Sequence, residues 1–180
     1  KKNKIECLYF LVDPSCQRTN YLAIDNQFDF VDIRVTLTIN LDKNKLFVQY
    51  PNSCVFRSSK KSDIPILREI ASYSHKDTRF YFDPNFPNEL CDKFYEKWIE
   101  RSCGDFADVV LVAILGKKIV GYISCHLDDS CVGRIGLIAV KSNMRSLGVG
   151  TGLVKSALKW FSKNGVKIVS VVTQERNIAS

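Results

Sequence analysis

Apolar and polar residues alternate through residues 28–40, FDFVDIRVTLTIN. Val31, Ile33, Val35, Leu37 and Ile39 fall on one side, and Asp32, Arg34, Thr36 and Thr38 on the other. That period of two is the mark of a strand. Asp32 and Arg34 share the polar side, where they are expected to pair with each other. Upstream, residues 7–12 form a short apolar run that reads as a strand, and residues 13–26 read as a helix begun after Pro14. Residues 41–52 read as a turn and a further short extended segment. Residues 1–52 are therefore expected to form a small N-terminal β-α-β module.

Near Cys54 a second unit begins, taken as residues 53–180. A strand and a loop lead to a helix capped by Ser62 or Asp63, with Pro65 in its first turn, where a missing N–H costs nothing. Ile64, Leu67, Ile70 and Ala71 are its apolar stripe. The aromatic segment HKDTRFYFDPNFP reads as a structured loop, and residues 88–101 as a helix with Leu90, Phe94 and Trp98 four apart. DVVLVAILGKKIVGYISCHLDD is a hairpin turning at Gly116-Lys117. A strand over 132–140, a helix over 148–164 that stops before Gly165, and a strand over 167–172 complete the order. A hairpin followed by a strand-helix-strand crossover predicts an α/β (α+β) fold with a mixed central sheet flanked by helices.

The segment 140–158, VKSNMRSLGVGTGLVKSAL, joins the last crossover strand to its helix through Gly148, Gly150 and Gly152. Glycines let a ligand approach the backbone, and the first N–H groups of a helix lack internal partners, so such a junction can hold an anion. It can equally be a turn that binds nothing. A P-loop would need GxxxxGK[ST], which is absent. A dinucleotide fingerprint would need its third glycine at Leu153.

The surrounding residues narrow the choice. Arg145-x-x-Gly148-x-Gly150, directly after the strand GLIAV, resembles the acetyl-CoA motif R/Q-x-x-G-x-G/A of the GNAT superfamily of N-acetyltransferases. The element order from Cys54 to Val172 is similar to the GNAT order. The resemblance implies that the backbone of Arg145, Ser146, Leu147, Gly148, Val149, Gly150 and Thr151 holds the coenzyme pyrophosphate. It further implies that Ile138 and Val140 line the pantetheine arm and that Asn177 helps hold the coenzyme. Ser142 and Ser146 stand where the family commonly has Pro and Gly, and both keep the backbone donors.

Transfer of an acetyl group to an amine needs a group to take the amine's proton and a donor for the leaving thiolate. Many GNAT enzymes use a Glu on the strand before the loop, but VGRIGLIAV has no acid. The family's acid is often a Tyr in the helix after RNxA, which would lie beyond Ser180 together with the last strands of the fold. The resemblance thus implies a chain truncated at its C-terminal end, and, because the only methionine is Met144, the chain is expected to be a piece of a longer protein. Among the residues present, His126, on a strand face with Tyr122, Ser124 and Asp128, is the candidate for proton transfer, set against a packing role.

FDFVDIRVTL, DTRFYFDPNFP, CDKFYEKWIE and TQERNIAS together look like the TDP-fucosamine acetyltransferase group within this superfamily. Those enzymes carry a small N-terminal module and acetylate the amine of a nucleotide-linked deoxysugar used in surface polysaccharides. On that resemblance Arg79, Tyr81 and Asp83 help wall the acceptor site; a packed aromatic loop with solvated charges is the competing reading. The co-substrate is acetyl-CoA and the acceptor a TDP-amino sugar. Other outcomes left open are another small amine or a protein N-terminus as acceptor, or a coenzyme-binding module without turnover.

Composition adds bounds. The net charge of +7 suits an anionic ligand, but the lysines are scattered, which does not fit a nucleic-acid partner. No apolar run reaches the roughly 18 residues of a membrane span. The seven cysteines, at 7, 16, 54, 91, 103, 125 and 131, form no CxxC pair, so no metal site or disulfide framework is expected. Most are expected to be small buried residues of a reduced, cytoplasmic protein. A homodimer is left open.

Overall fold

A computed structural model describes residues 4–42, 54–128 and 131–177. The chain divides into two compact units at Val31/Asp32. The first contains the helix α1 (Gln17–Asp25) and a Phe10–Phe28 ring contact with centroids 5.6 Å apart. Residues 7–12 form no strand there, and most of them are exposed. Among the described residues the expected N-terminal β-α-β module is thus not formed. Its second strand, β1 (Arg34–Asn40), belongs to the other unit, where it pairs antiparallel with the last strand. The alternating pattern was read correctly as a strand. Its partner, however, lies more than a hundred residues away in the chain, which a local period cannot indicate. Most of the expected extended segment at 41–52 lies outside the described residues.

The second unit is one six-stranded mixed sheet in the order β1-β6-β5-β4-β3-β2. Its other strands are β2 (Cys54–Ser58), β3 (Val109–Leu115), β4 (Lys118–Leu127), β5 (Val132–Val140) and β6 (Ile168–Gln174). β2 through β5 pair antiparallel, and β5–β6 is the parallel pair made by the crossover helix α5 (Val149–Lys163). One face of the sheet packs on α5 through Leu153, Ala157, Leu158 and Phe161. The other packs on α2 (Ile64–Ser74) and α4 (Asn88–Arg101). A single helical turn, α3 (Arg79–Phe82), interrupts the aromatic loop between them.

Two local expectations change register. On α4 the buried residues are Cys91, Tyr95 and Ile99, while Leu90 and Phe94 are 57% and 44% exposed. Two apolar columns run side by side on this helix, and packing against α2 chooses between them. Asp63 makes no side-chain cap to α2. Its carboxylate accepts the Lys60 N–H (2.8 Å) and a two-pronged contact from Arg57 (2.6 and 3.2 Å). Only Cys91 and Cys125 among the cysteines are buried, and Cys7 and Cys131 are exposed, contrary to the expected burial of most of them.

Candidate active site

The geometry of the site starts with a change of register in β5. Ile123 of β4 lies opposite Ile138, and Cys125 opposite Ile135. One β4 residue, Ser124, therefore faces two β5 residues, Gly136 and Leu137, which defines a bulge in β5. The parallel pairing of β5 with β6 ends at the same point, at Ile135↔Val171. Both strands continue beyond it, β5 to Val140 and β6 to Gln174. They diverge at their C-terminal ends, which is where ligands bind between parallel strands.

Backbone groups point alternately to the two sides of a strand. Lys141 donates its N–H to the Val120 carbonyl (2.8 Å), and Leu137 donates to Ser124 Oγ (2.8 Å), both towards β4. The N–H and C=O groups of Ile138 and Val140 consequently face the opening between β5 and β6.

At the end of β5 the chain passes through a 3₁₀ turn (Ser142–Met144) and reaches Gly148, the N-cap of α5. Gly148 has φ +76°, a left-handed conformation that favours glycine, and Ser146 has φ +61°. The first intrahelical bond of α5 is Gly152 N–H to the Gly148 carbonyl (2.9 Å). The N–H groups of Val149, Gly150 and Thr151 precede it and form the electropositive end of the helix. Arg145, Ser146, Leu147, Gly148 and Thr151 are exposed, while Val149 is buried and anchors the turn.

The two remaining glycines differ. A Cβ on Gly152 would lie 2.3 Å from Phe56 Cζ, so this glycine serves the packing of α5 on β2. A Cβ on Gly150 would meet only Val140 Cγ2 at 3.8 Å, an ordinary contact. Protein packing therefore does not require glycine at position 150.

The other expected site residues are placed as follows. Asn177 follows β6 in a turn, its N–H donating to the Gln174 carbonyl (3.0 Å) and its Nδ2 to Thr173 Oγ1 (3.2 Å). Arg79 stacks on Phe80, 4.4 Å from the ring centroid. The Tyr81 hydroxyl donates to Asp92 (2.6 Å), and burial, reinforced by the Asp92 carboxylate, raises its pKa. Asp83 is buried and accepts both the backbone and the side-chain N–H of Asn85 (2.9 Å each). His126 is buried at the bulge, edge-on to Phe106 with centroids 5.5 Å apart. Burial, and then the charge of Arg134, lower its pKa and keep the imidazole neutral.

Three features escaped the sequence reading. The first is the bulge itself; the isolated Gly136 inside an apolar strand is the signal that could have located it. The second is a polar pair on the α2–α4 face: the Nε2 of half-buried His75 lies 2.9 Å from the hydroxyl of buried Tyr122, and the imidazole stacks on Tyr95 at 4.6 Å. Burial pulls the His75 pKa down to about 4. The third is the partner of Asp32, which pairs not with Arg34 but with Arg176 (3.2 Å), whose guanidinium also lies 3.8 Å above the Phe82 ring. It ties the start of β1 to the end of β6 and to α3.

Residues 75–180 match the model of the acetyltransferase (GNAT) family. The chain is 33% identical over 125 residues to the dTDP-fucosamine acetyltransferase of Escherichia coli, covering 68% of this chain and 52% of that protein. It thus spans about half the length of that relative. Among solved structures, the fold is similar to a GCN5-related N-acetyltransferase from Sphaerobacter thermophilus (TM-score 0.69, 17% identity, 93% of this chain and 50% of the other). It is also similar to the PaiA N-acetyltransferase of Thermoplasma acidophilum in complex with coenzyme A (TM-score 0.52, 16% identity, 63% and 75%). With the family model matching more than half of its residues, the chain belongs to the GNAT acetyltransferase family.

Proposed function

We propose that this chain carries the coenzyme-binding part of an N-acetyltransferase that moves acetyl from acetyl-CoA to the amine of a nucleotide-linked (TDP-) amino deoxysugar. The single observation that supports the coenzyme reading is the divergence of β5 and β6 directly beside the free helix N-terminus. An extended arm with amide groups fits the backbone donors and acceptors of Ile138 and Val140. A pyrophosphate fits the N–H groups from Arg145 to Thr151, and Gly150 leaves the backbone open to it. In this reading Asn177, in the turn after β6, helps hold the coenzyme. The sugar acceptor rests on the relative named dTDP-fucosamine acetyltransferase. In this reading Arg79, Tyr81 and Asp83 shape the acceptor wall from within a packed loop.

The co-substrate supplies the acetyl group as a thioester. The amine nitrogen forms a bond to the carbonyl carbon, the carbon–sulfur bond breaks, the amine loses a proton and the thiolate gains one. Main-chain N–H groups of β5 are the donors available to the carbonyl oxygen as it gains charge. His126 is the neutral imidazole nearest the bulge and the candidate proton acceptor.

The test is calorimetric titration of the full-length protein with coenzyme A, followed by labelled acetyl transfer to a panel of TDP-amino sugars and to peptides. Binding and sugar acetylation are expected. Transfer to peptides alone would overturn the acceptor, and no binding would overturn the coenzyme reading.

A further inference from the structure

We propose that Ser124 is a positioning residue for the coenzyme slot: its hydroxyl holds the β5 bulge, and the bulge decides which main-chain groups the slot presents. The proposal rests on the coenzyme reading above.

The parity of β5 carries it. Before the bulge, even-numbered residues face β4, because the Val132 carbonyl accepts the Asp128 N–H (3.0 Å). Gly133 faces the other way, its carbonyl accepting Ser170 Oγ (3.4 Å). After the bulge, odd-numbered residues face β4, as Leu137 and Lys141 show. The extra residue has reversed the strand. Without it Ile138 and Val140 would turn their N–H and C=O groups to β4, and the opening between β5 and β6 would be offered those of Leu137 and Ala139.

A bulge leaves one backbone donor out of the ladder, and a buried donor needs a partner. Here it is the Leu137 N–H, and the partner is the fully buried Ser124 Oγ at 2.8 Å. The hydroxyl has been given room. A Cβ on Gly136 would lie 2.7 Å from Ser124 Oγ and 2.5 Å from His126 Nε2. Glycine at 136, serine at 124 and the neutral imidazole of His126 therefore fit one another, with Ser124 making the bond. Alanine at 124 would strand the Leu137 donor and favour the unbulged register.

Residue-resolved amide exchange of the full-length protein, with and without coenzyme A, tests this together with Ser124→Ala. In the free protein the Leu137 amide should exchange slowly and those of Ile138 and Val140 quickly, with coenzyme A slowing the latter two. Ser124→Ala should weaken coenzyme A binding about tenfold, the loss expected when a buried donor is left unpaired. Ile70→Val, in the α2 core, should lower the melting temperature with coenzyme affinity unchanged, so that lost stability alone does not mimic the effect. Fast exchange at Leu137 in the free wild-type protein, or wild-type affinity in Ser124→Ala, would overturn the proposal. The exchange measurement decides even where Ser124→Ala does not fold. A wild-type protein that binds no coenzyme A overturns the slot, and slow exchange at Leu137 then identifies the ligand, not the bulge, as the part that failed.

Discussion

The two faces of the sheet are built from different materials. Against α5 the buried core is aliphatic apart from Phe161 and Cys125, with Phe56 and Trp160 at its margin, and α5 carries a continuous apolar stripe. Against α2 and α4 aliphatic residues are joined by aromatic and polar ones: Tyr95 donates to Thr78 Oγ1 (2.7 Å) and stacks on Trp98, and Tyr122 meets His75. The first face does steric work, holding the helix whose N-terminus forms the glycine turn. The second holds buried titratable groups, so its stability depends on pH. The α5 face thus seats the glycine turn, while the α2–α4 face carries groups that respond to protons.

The largest effect that would break this contrast is Phe161→Ala. Phe161 is fully buried on the α5 face, and its loss should cost about 3–5 kcal/mol by chemical denaturation. Coenzyme affinity should fall with it, because the helix loses its seat. An equally large loss of affinity from an α2-face truncation such as Leu67→Ala would erase the distinction.

Next comes acid. His75 has its folded pKa lowered to about 4 by burial, against an ordinary value near 6.5. Between these values the unfolded chain binds the extra proton, so stability should be complete above about pH 6.5 and decline as the pH falls towards 4. The loss is at most about 3 kcal/mol. Melting temperatures across that window should fall steeply in the wild type and less in His75→Gln. An unchanged slope would show that His75 is not the sensor.

Gly152→Ala should cost about 1–3 kcal/mol, since its Cβ meets the Phe56 ring and the helix start must shift. Circular dichroism melts would measure it. Gly150→Ala sharpens the comparison most finely, because its Cβ has room. Stability should change by less than about 1 kcal/mol, in the stabilising direction given alanine's helix propensity. Coenzyme A binding should nonetheless weaken about tenfold, as the methyl group stands where the pyrophosphate approaches. Equal effects of the two glycines on binding and stability would contradict their separate roles.

The elements themselves were largely legible. The span 88–101 and the strand 132–140 coincide with α4 and β5, and the Gly116-Lys117 turn joins β3 to β4. The turn works because hairpin chemistry is local: Gly116 takes φ +62° between strands rich in β-branched residues. The glycine turn was legible for the same reason. Failures occur where two solutions are locally equal. Leu90-Phe94-Trp98 and Cys91-Tyr95-Ile99 have the same spacing, and only α2 and Tyr122 select the second. Asp32 sits two residues from Arg34 but its buried carboxylate pairs with Arg176, a partner more than a hundred residues away that no local spacing announces.

Side-chain periodicity and the junction of strand, glycines and helix were set by neighbours in the chain, and from them came the kinds of element and the glycine turn. The chain order alone could not decide that β1 joins β6 at the sheet edge, that β5 bulges opposite Ser124, or that His75 meets Tyr122. Those are agreements between segments tens of residues or more apart. They depend on which hydrogen-bond donors are left over, and which side chains find room, once the sheet has assembled.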